Sequence, residues 1–241
     1  MTKNKSVWES KDVANAFLEG ERGAVPGTEL QLGIINKIIN EWFPHPEKIL
    51  DLGCGNGILG KYLLGKLTEA KGTFIDLSDT MLEAATENLK NYPESKIIKA
   101  DFSTGDWLNK IRDEQSFDII ISGFSIHHLT DQRKKELYGE IYNLLTPGGI
   151  FINMDHVKSA THDVESTFEQ YYIDHLHKFQ FQTNSEITRQ EVADSFINRP
   201  DRDEDKPALV DVQCNWLEDI GFKDVDCFFK LFVIAVFGGR K

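Results

Sequence analysis

The sequence is short of cysteine, of long apolar runs and of positive charge, and each shortage removes a class of protein. Its 241 residues hold three cysteines, Cys54, Cys214 and Cys227. That odd number, at those spacings, gives no disulfide framework, zinc knuckle or C-x-x-C redox pair. The three read as incidental thiols of a reducing compartment. No apolar run approaches the ~20 residues that span a bilayer. The segment from Met1 to Asp12 is polar and mixed in charge, unlike a secretory leader, so a cytoplasmic location is expected. Lysine and arginine number 27 against 39 acidic residues, a formal net charge of −12. A surface of that sign repels phosphate backbones and anionic headgroups. It favours a small-molecule partner over a nucleic acid or a membrane, and it leaves a homodimer open.

Apolar residues make up 40% of the chain, enough for a sizeable core. There is no internal repeat and no low-complexity tract. From residue 48 short apolar runs alternate with helical patterns, the signature of a parallel sheet with crossover helices. Strands are expected at 48–51, 72–76, 96–99, 117–122 and 150–154. The run Phe117-Asp118-Ile119-Ile120-Ile121 is apolar enough to be buried on both faces. Ser78 or Asp79 should cap the helix carrying Met81, Leu82, Ala85 and Leu89; Thr130 or Asp131 should cap the one carrying Leu137, Ile141 and Leu144. After Met154 the pattern turns polar, rich in histidine and aromatics, and mostly helical. A helix at 212–220 and two strands at 224–229 and 231–237 close the chain. The expected division is an N-terminal helical cap over 1–44, above the upper edge of the sheet. A cofactor-binding α/β core covers 45–155 and a helical lid 156–207. A terminal helix and strand pair over 208–241 complete the core.

Chemistry concentrates at the first strand-to-helix turn, Asp51-Leu52-Gly53-Cys54-Gly55-Asn56-Gly57. Glycines there let a backbone approach a ligand where a Cβ would clash. Open α/β sheets bind ligands beyond the carboxyl ends of their strands. A dinucleotide fingerprint G-x-G-x-x-G counted from Gly53 would need glycine at position 58, which is Ile58. Asp51 would repel a pyrophosphate and attract an ammonium or sulfonium. Asp76, at the end of the second strand, can accept both hydroxyls of a ribose. Asp101 can accept from an adenine amino group, and Phe102 can cover the ring. Three acids at three strand ends, with no basic residue in the loop, suit a cationic adenosine-bearing cofactor better than a phosphorylated one.

These residues resemble a known family. Ile49 to Gly57 is similar to the first motif of class I S-adenosyl-L-methionine-dependent methyltransferases. Asp76-Leu77-Ser78 with Met81-Leu82 resembles their second motif. Phe117 to Ile120 with His127-His128-Leu129 resembles their fourth strand and its loop, and Leu144 to Gly149 the turn before their fifth strand. Four motifs in order are a specific signal. The resemblance implies a Rossmann-like, seven-stranded, mostly parallel sheet whose last strand is antiparallel. It implies S-adenosyl-L-methionine as cofactor: Asp51, Gly53, Cys54, Gly55, Asn56 and Gly57 at its methionine portion, Asp76, Leu77 and Met81 near the ribose, Asp101 and Phe102 at the adenine. Gly123 and His127, after the fourth strand, would complete the pocket. The implied activity is in-line methyl transfer to a small-molecule acceptor, with no catalytic side chain assigned.

A narrower similarity links Val25-Pro26-Gly27 and the C-terminal segment to carboxy-S-adenosylmethionine synthase. That family has asparagine and tyrosine where Gly123 and Thr28 stand here. Its extra carboxylate is held by an arginine, for which Arg199 or Arg202 would be the candidates. Three further functions compete: a cofactor-binding protein without catalysis, an NAD-dependent oxidoreductase and an RNA methyltransferase. Ile58 and Asp51 speak against the oxidoreductase, and the net charge against the RNA enzyme.

Asp155, His156, His162, His175 and His177 follow no metal-ligand spacing, so no metal site is expected. His127 and His128 read as pocket and packing residues rather than a general base. Phe168, Tyr171, Tyr172, Phe179 and Phe181 read as the packing face of a helix. Asp201 to Asp205 reads as a solvated loop. Trp8, Val13 and Phe17 give the N-terminal segment an apolar face.

Overall fold

The computed structural model describes residues 7–11, 13, 14, 25–114 and 116–241. Phe17 lies outside the described residues. A 3-10 turn, Val7–Glu9, precedes helix α1, Thr28–Trp42. Strand β1 (Lys48–Leu52), α2 (Ile58–Leu64), β2 (Lys71–Asp76), α3 (Asp79–Asn88) and β3 (Lys96–Lys99) follow. A 3-10 segment, Gly105–Lys110, leads to β4 (Phe117–Gly123), α4 (Asp131–Leu144) and β5 (Leu145–His156). Helices α5 (His162–Phe181) and α6 (Arg189–Ile197) form the insertion. The chain ends with α7 (Val210–Ile220), β6 (Lys223–Leu231) and β7 (Ile234–Arg240).

All seven strands form one sheet in the order β3-β2-β1-β4-β5-β7-β6. Five pair in parallel; β7 runs antiparallel to both β5 and β6. The order reverses between β1 and β4, which opens a crevice at their carboxyl ends.

Alternation along the strands explains the continuous apolar runs. Leu50, Leu52, Ile120, Phe151 and Phe237 face one side, against α4 and α7 residues such as Leu137, Ile141 and Leu217. Ile49, Ile119, Ile121, Ile150, Ile152 and Val236 face the other, against α1, α2 and α3. Each central strand thus buries both faces. Ile35 and Ile39 of α1 belong to this second layer. The helix therefore lies on a face of the sheet, not over its upper edge as expected; its apolar residues at i and i+4 need a flat apolar partner.

Thr130 caps α4, its side chain accepting from Arg133 N. Ser78 stands at the N-cap of α3 without a side-chain cap bond. β6 runs to Leu231 and β7 from Ile234 to Arg240, the latter starting later and ending later than expected; β7 extends because Gly238 and Gly239 continue it instead of ending it. A Cβ at Gly238 would lie 2.0 Å from the Phe151 carbonyl oxygen, so only glycine lets β7 approach β5 here.

The insertion has its own small core of Ile173, Leu176, Val192 and Ala193. Phe168 joins it to the β6–β7 turn through Val233 and Ile234. The expected aromatic packing face is only partly realised. Phe168 is buried and Tyr172 half-buried, whereas Tyr171, Phe179 and Phe181 are exposed. Residues 168, 172 and 176 share the inner face at helical spacing; the others fall off it.

Candidate active site

The glycine loop stands at the carboxyl end of β1, beside the switch in strand order. Gly53, Gly55 and Gly57 all have positive φ, at 71°, 54° and 75°, the region that favours glycine. A Cβ at Gly53 would lie 2.2 Å from Ser125 Oγ. The backbone N–H groups of Gly53 and Cys54 both donate to the Ile75 carbonyl oxygen, at 2.8 and 2.9 Å. Ser122 Oγ and Ser125 Oγ donate to the Leu52 carbonyl oxygen, at 2.8 and 3.1 Å, tying the ends of β1 and β4 together. Neither serine was legible as a site residue, because only the sheet order brings them to β1.

Asp51 is 1% exposed and accepts from Gly60 N at 3.0 Å. It anchors α2 behind the loop. Asp76 accepts from Gly55 N at 2.8 Å and from Ser78 N at 2.9 Å. Carboxylate oxygens carry further lone pairs, so this clamp leaves acceptor capacity toward a ribose. Leu77 beside it is half-buried, and Met81 and Cys54 are buried. Asn56 Oδ1 accepts from Ile58 N at 3.4 Å, and Asn88 Nδ2 donates to the Asn56 carbonyl oxygen at 3.0 Å. Asp101 is exposed and accepts from Ser103 N at 2.8 Å; Phe102 next to it is 8% exposed. Gly123 ends β4, where a Cβ would press on Leu59 at 2.9 Å. The loop, Asp76 and Asp101 thus line the ends of β1, β2 and β3 in turn. A glycine cradle that a Cβ would fill, ringed by acids and without a basic side chain, fits adenosylmethionine.

His127 belongs to a second group, at the carboxyl ends of β4 and β5. Its Nδ1 is 2.6 Å from Asp155 Oδ1, and its Nε2 is 3.3 Å from Asp205 Oδ1. His128 Nδ1 is 3.4 Å from the same oxygen, and His156 Nδ1 is 3.8 Å from Asp205 Oδ2. Asp155 also accepts from Asn153 Nδ2 at 3.1 Å and His156 N at 2.9 Å. Burial pushes His127 down, but the Asp155 and Asp205 carboxylates outweigh it and hold the imidazole up, at about 9. Burial and the neighbouring His127 push His128 down to about 3 and His156 down to about 4. Burial raises Asp205, but bonding to His127 and the charges of His127 and Arg199 leave it well below the usual carboxylate range.

Asp205 corrects the reading of 201–205 as a solvated loop. Its side chain is 11% exposed, and Arg199 Nη2 donates to it at 2.6 Å. Arg202 pairs with Glu169 of α5 at 2.5 Å. Arg199, Arg202 and Asp205 thus face complementary partners, while Asp203 stays exposed; a charge run in a sequence does not reveal which. His162, His175 and His177 stay outside the group. His162 is exposed, His175 stacks on Tyr171, and His177 Nε2 contacts the Ile187 carbonyl oxygen at 3.1 Å.

A cavity of about 560 Å³ opens over this second group. Its floor carries Phe124, His127, His128 and His156. Trp8 and Val13 of the N-terminal segment, Phe168 and Tyr172 of α5 and Val192 and Phe196 of α6 form its other walls. Arg199, Asp201 and Asp205 supply its remaining charged lining.

Residues 49–149 match the family described as a methyltransferase domain. The chain is 32% identical to a demethylmenaquinone methyltransferase of Leptospira interrogans over 123 residues, 51% of this chain and 47% of that protein. It thus spans about half the length of that curated relative. It is 26% identical to carboxy-S-adenosyl-L-methionine synthase of Shewanella amazonensis over 92% of this chain and 88% of that one. Among solved structures, an O-methyltransferase family protein from Burkholderia thailandensis superposes with a TM-score of 0.62 at 13% identity, covering 95% of this chain and 59% of that one.

Proposed function

Because residues 49–149 match a methyltransferase domain, we propose that the chain is a class I S-adenosylmethionine-dependent methyltransferase that acts on a small, largely apolar acceptor bound in the cavity over β4 and β5. The observation that carries this reading is the cavity itself. It adjoins the end of β4, is walled by aromatic and aliphatic side chains, and is large enough for a small organic molecule. On this reading residues 45–155 hold the cofactor and 156–207 form the lid over the acceptor.

When bound, S-adenosylmethionine supplies a methyl group already activated by its sulfonium. The glycine loop accepts the methionine portion closely, Asp76 receives the ribose hydroxyls, and Asp101 with Phe102 receives the adenine. Trp8, Phe168, Tyr172 and Phe196 exclude water and hold the acceptor in line, which is the main source of acceleration for such a transfer. No side chain need take a proton unless the acceptor atom must lose one.

Calorimetry with adenosylmethionine, adenosylhomocysteine and NAD tests the premise. The first two should bind, and Asp76→Ala should weaken them by ~1–3 kcal/mol through lost charge-assisted bonds. NAD binding without adenosylmethionine binding would overturn the reading.

The near full-length similarity to the Shewanella protein favours one second reading, a carboxylated cofactor. Gly123 and Thr28 depart from that family's residues, and the Arg199 guanidinium is already paired with Asp205 and Asp201. Mass spectrometry of the cofactor retained on purification distinguishes the two by the mass of one carboxyl group.

A further inference from the structure

We propose that His127, His128 and Asp205 form a binding site for a divalent first-row transition-metal ion, open toward the acceptor cavity. One potential ligand atom from each of the three lies within 4.8 Å of the others. Asp205 Oδ1 is 3.3 Å from His127 Nε2 and 3.4 Å from His128 Nδ1. Around a tetrahedral ion with metal–ligand bonds of about 2.0–2.1 Å, ligand atoms stand roughly 3.3–3.4 Å apart. The two measured separations fall on that value, and the third, between the two imidazoles, is within 4.8 Å.

Two further observations point to an ion. His128 Nδ1 and Asp205 Oδ1 are buried, and outside the contacts within this group neither has a hydrogen-bond partner. Buried polar atoms are rarely left so, and a shared cation would satisfy both. The second observation is the support behind His127. Its other ring nitrogen, Nδ1, lies 2.6 Å from Asp155, and Asp155 is fixed in turn by Asn153 Nδ2 and His156 N. A ligating histidine characteristically gives its second nitrogen to a carboxylate, which sets the tautomer and aims the free nitrogen at the metal.

The backbone holds the group in place. Lys206 N donates to the His127 carbonyl oxygen at 2.9 Å, and the buried Lys134 ammonium donates to the Lys206 carbonyl oxygen. Asp205 is thus stapled to the turn carrying both histidines. Two imidazoles and one carboxylate are the donor set of borderline metals such as zinc, iron and cobalt, and three protein ligands leave positions open. All three residues line the cavity, so those positions face the bound acceptor. On the reading that this cavity holds the acceptor, the acceptor offers a metal-binding oxygen or nitrogen beside its apolar body.

The test uses the full chain, stripped with a chelator and free of cofactor and acceptor. Titration with Co²⁺ should give saturable visible absorption at one ion per chain, and Zn²⁺ should displace it. His128→Ala and Asp205→Asn should each weaken uptake at least tenfold. Asp155→Asn should weaken it about 10–100-fold, the range for such supporting groups. His162→Ala, at an exposed residue away from the group, should leave uptake unchanged. Circular dichroism confirms that each variant is folded; Asp205→Asn, nearly isosteric, guards against loss of fold in His128→Ala. No saturable uptake by the native chain, or undiminished uptake by both ligand variants, overturns the site. In that event His127 is an imidazolium shared by Asp155 and Asp205. Adenosylmethionine binding measured alongside keeps this outcome separate from the methyltransferase reading.

Discussion

A methyl group added at Gly53 would meet Ser125 Oγ at 2.2 Å, in a backbone conformation with φ of 71°. The left-handed region costs a side-chain-bearing residue roughly 1–2 kcal/mol, and overpacking typically another 1–3. Gly53→Ala should therefore lower stability in urea by about 2–5 kcal/mol and abolish cofactor binding. Adding Ser125→Gly should return only the steric part; an unchanged urea midpoint in Gly53→Ala would show that the loop adapts. The positions of the glycine loop, Asp76 and Asp101 at successive strand ends were legible because they are contiguous or follow recognisable strands. Asp205 was not. It belongs to a charge run, and charge runs usually mark solvated surface. Only the folded chain turns this one toward His127 and His128, where opposite charge and burial hold it. Asp51 shows another side: the sequence located it at the loop, and the structure adds a bond from Gly60 N that ties it to α2.

Helix α6 is the element on which the cavity wall depends. Thr188 Oγ1 accepts from Glu191 N at 3.2 Å, and Glu191 Oε2 accepts from Thr188 N at 2.8 Å, a complete capping box. Loss of such a cap costs about 1 kcal/mol. Thr188→Ala should speed amide exchange over residues 189–197 about fivefold, the equilibrium factor for that energy. It should also raise KM for the acceptor and leave cofactor affinity alone. Equal exchange rates would mean that packing by Val192 and Ala193 holds the helix without its cap. The strands of the core were readable at this scale since apolar runs bounded by turns carry their own signal. The ends of β6 and β7 were not. Gly238 and Gly239 look like a break until the close approach of β5 gives them a reason to be in a strand.

At the scale of the whole chain the surplus of acid predicts behaviour toward nucleic acid. With a formal charge of −12, the protein should show no saturable binding of transfer RNA or duplex DNA in fluorescence anisotropy, even at low salt. Binding that weakens steeply with salt would reveal a local basic surface and overturn the small-molecule reading. Among the described residues no helix is long and apolar enough to cross a membrane. The sequence by itself determined the layered α/β core, the place of the cofactor loop and the acids at three strand ends. Those follow from local period, turn chemistry and the spacing of neighbouring elements. Tertiary structure decided that α1 lies on a face of the sheet and that β7 slips between β5 and β6. It also decided that two histidines after β4 meet an aspartate from the end of the insertion. These depend on contacts between distant segments, which no local pattern encodes: burial and complementary charge select them only once the sheet has brought the segments together.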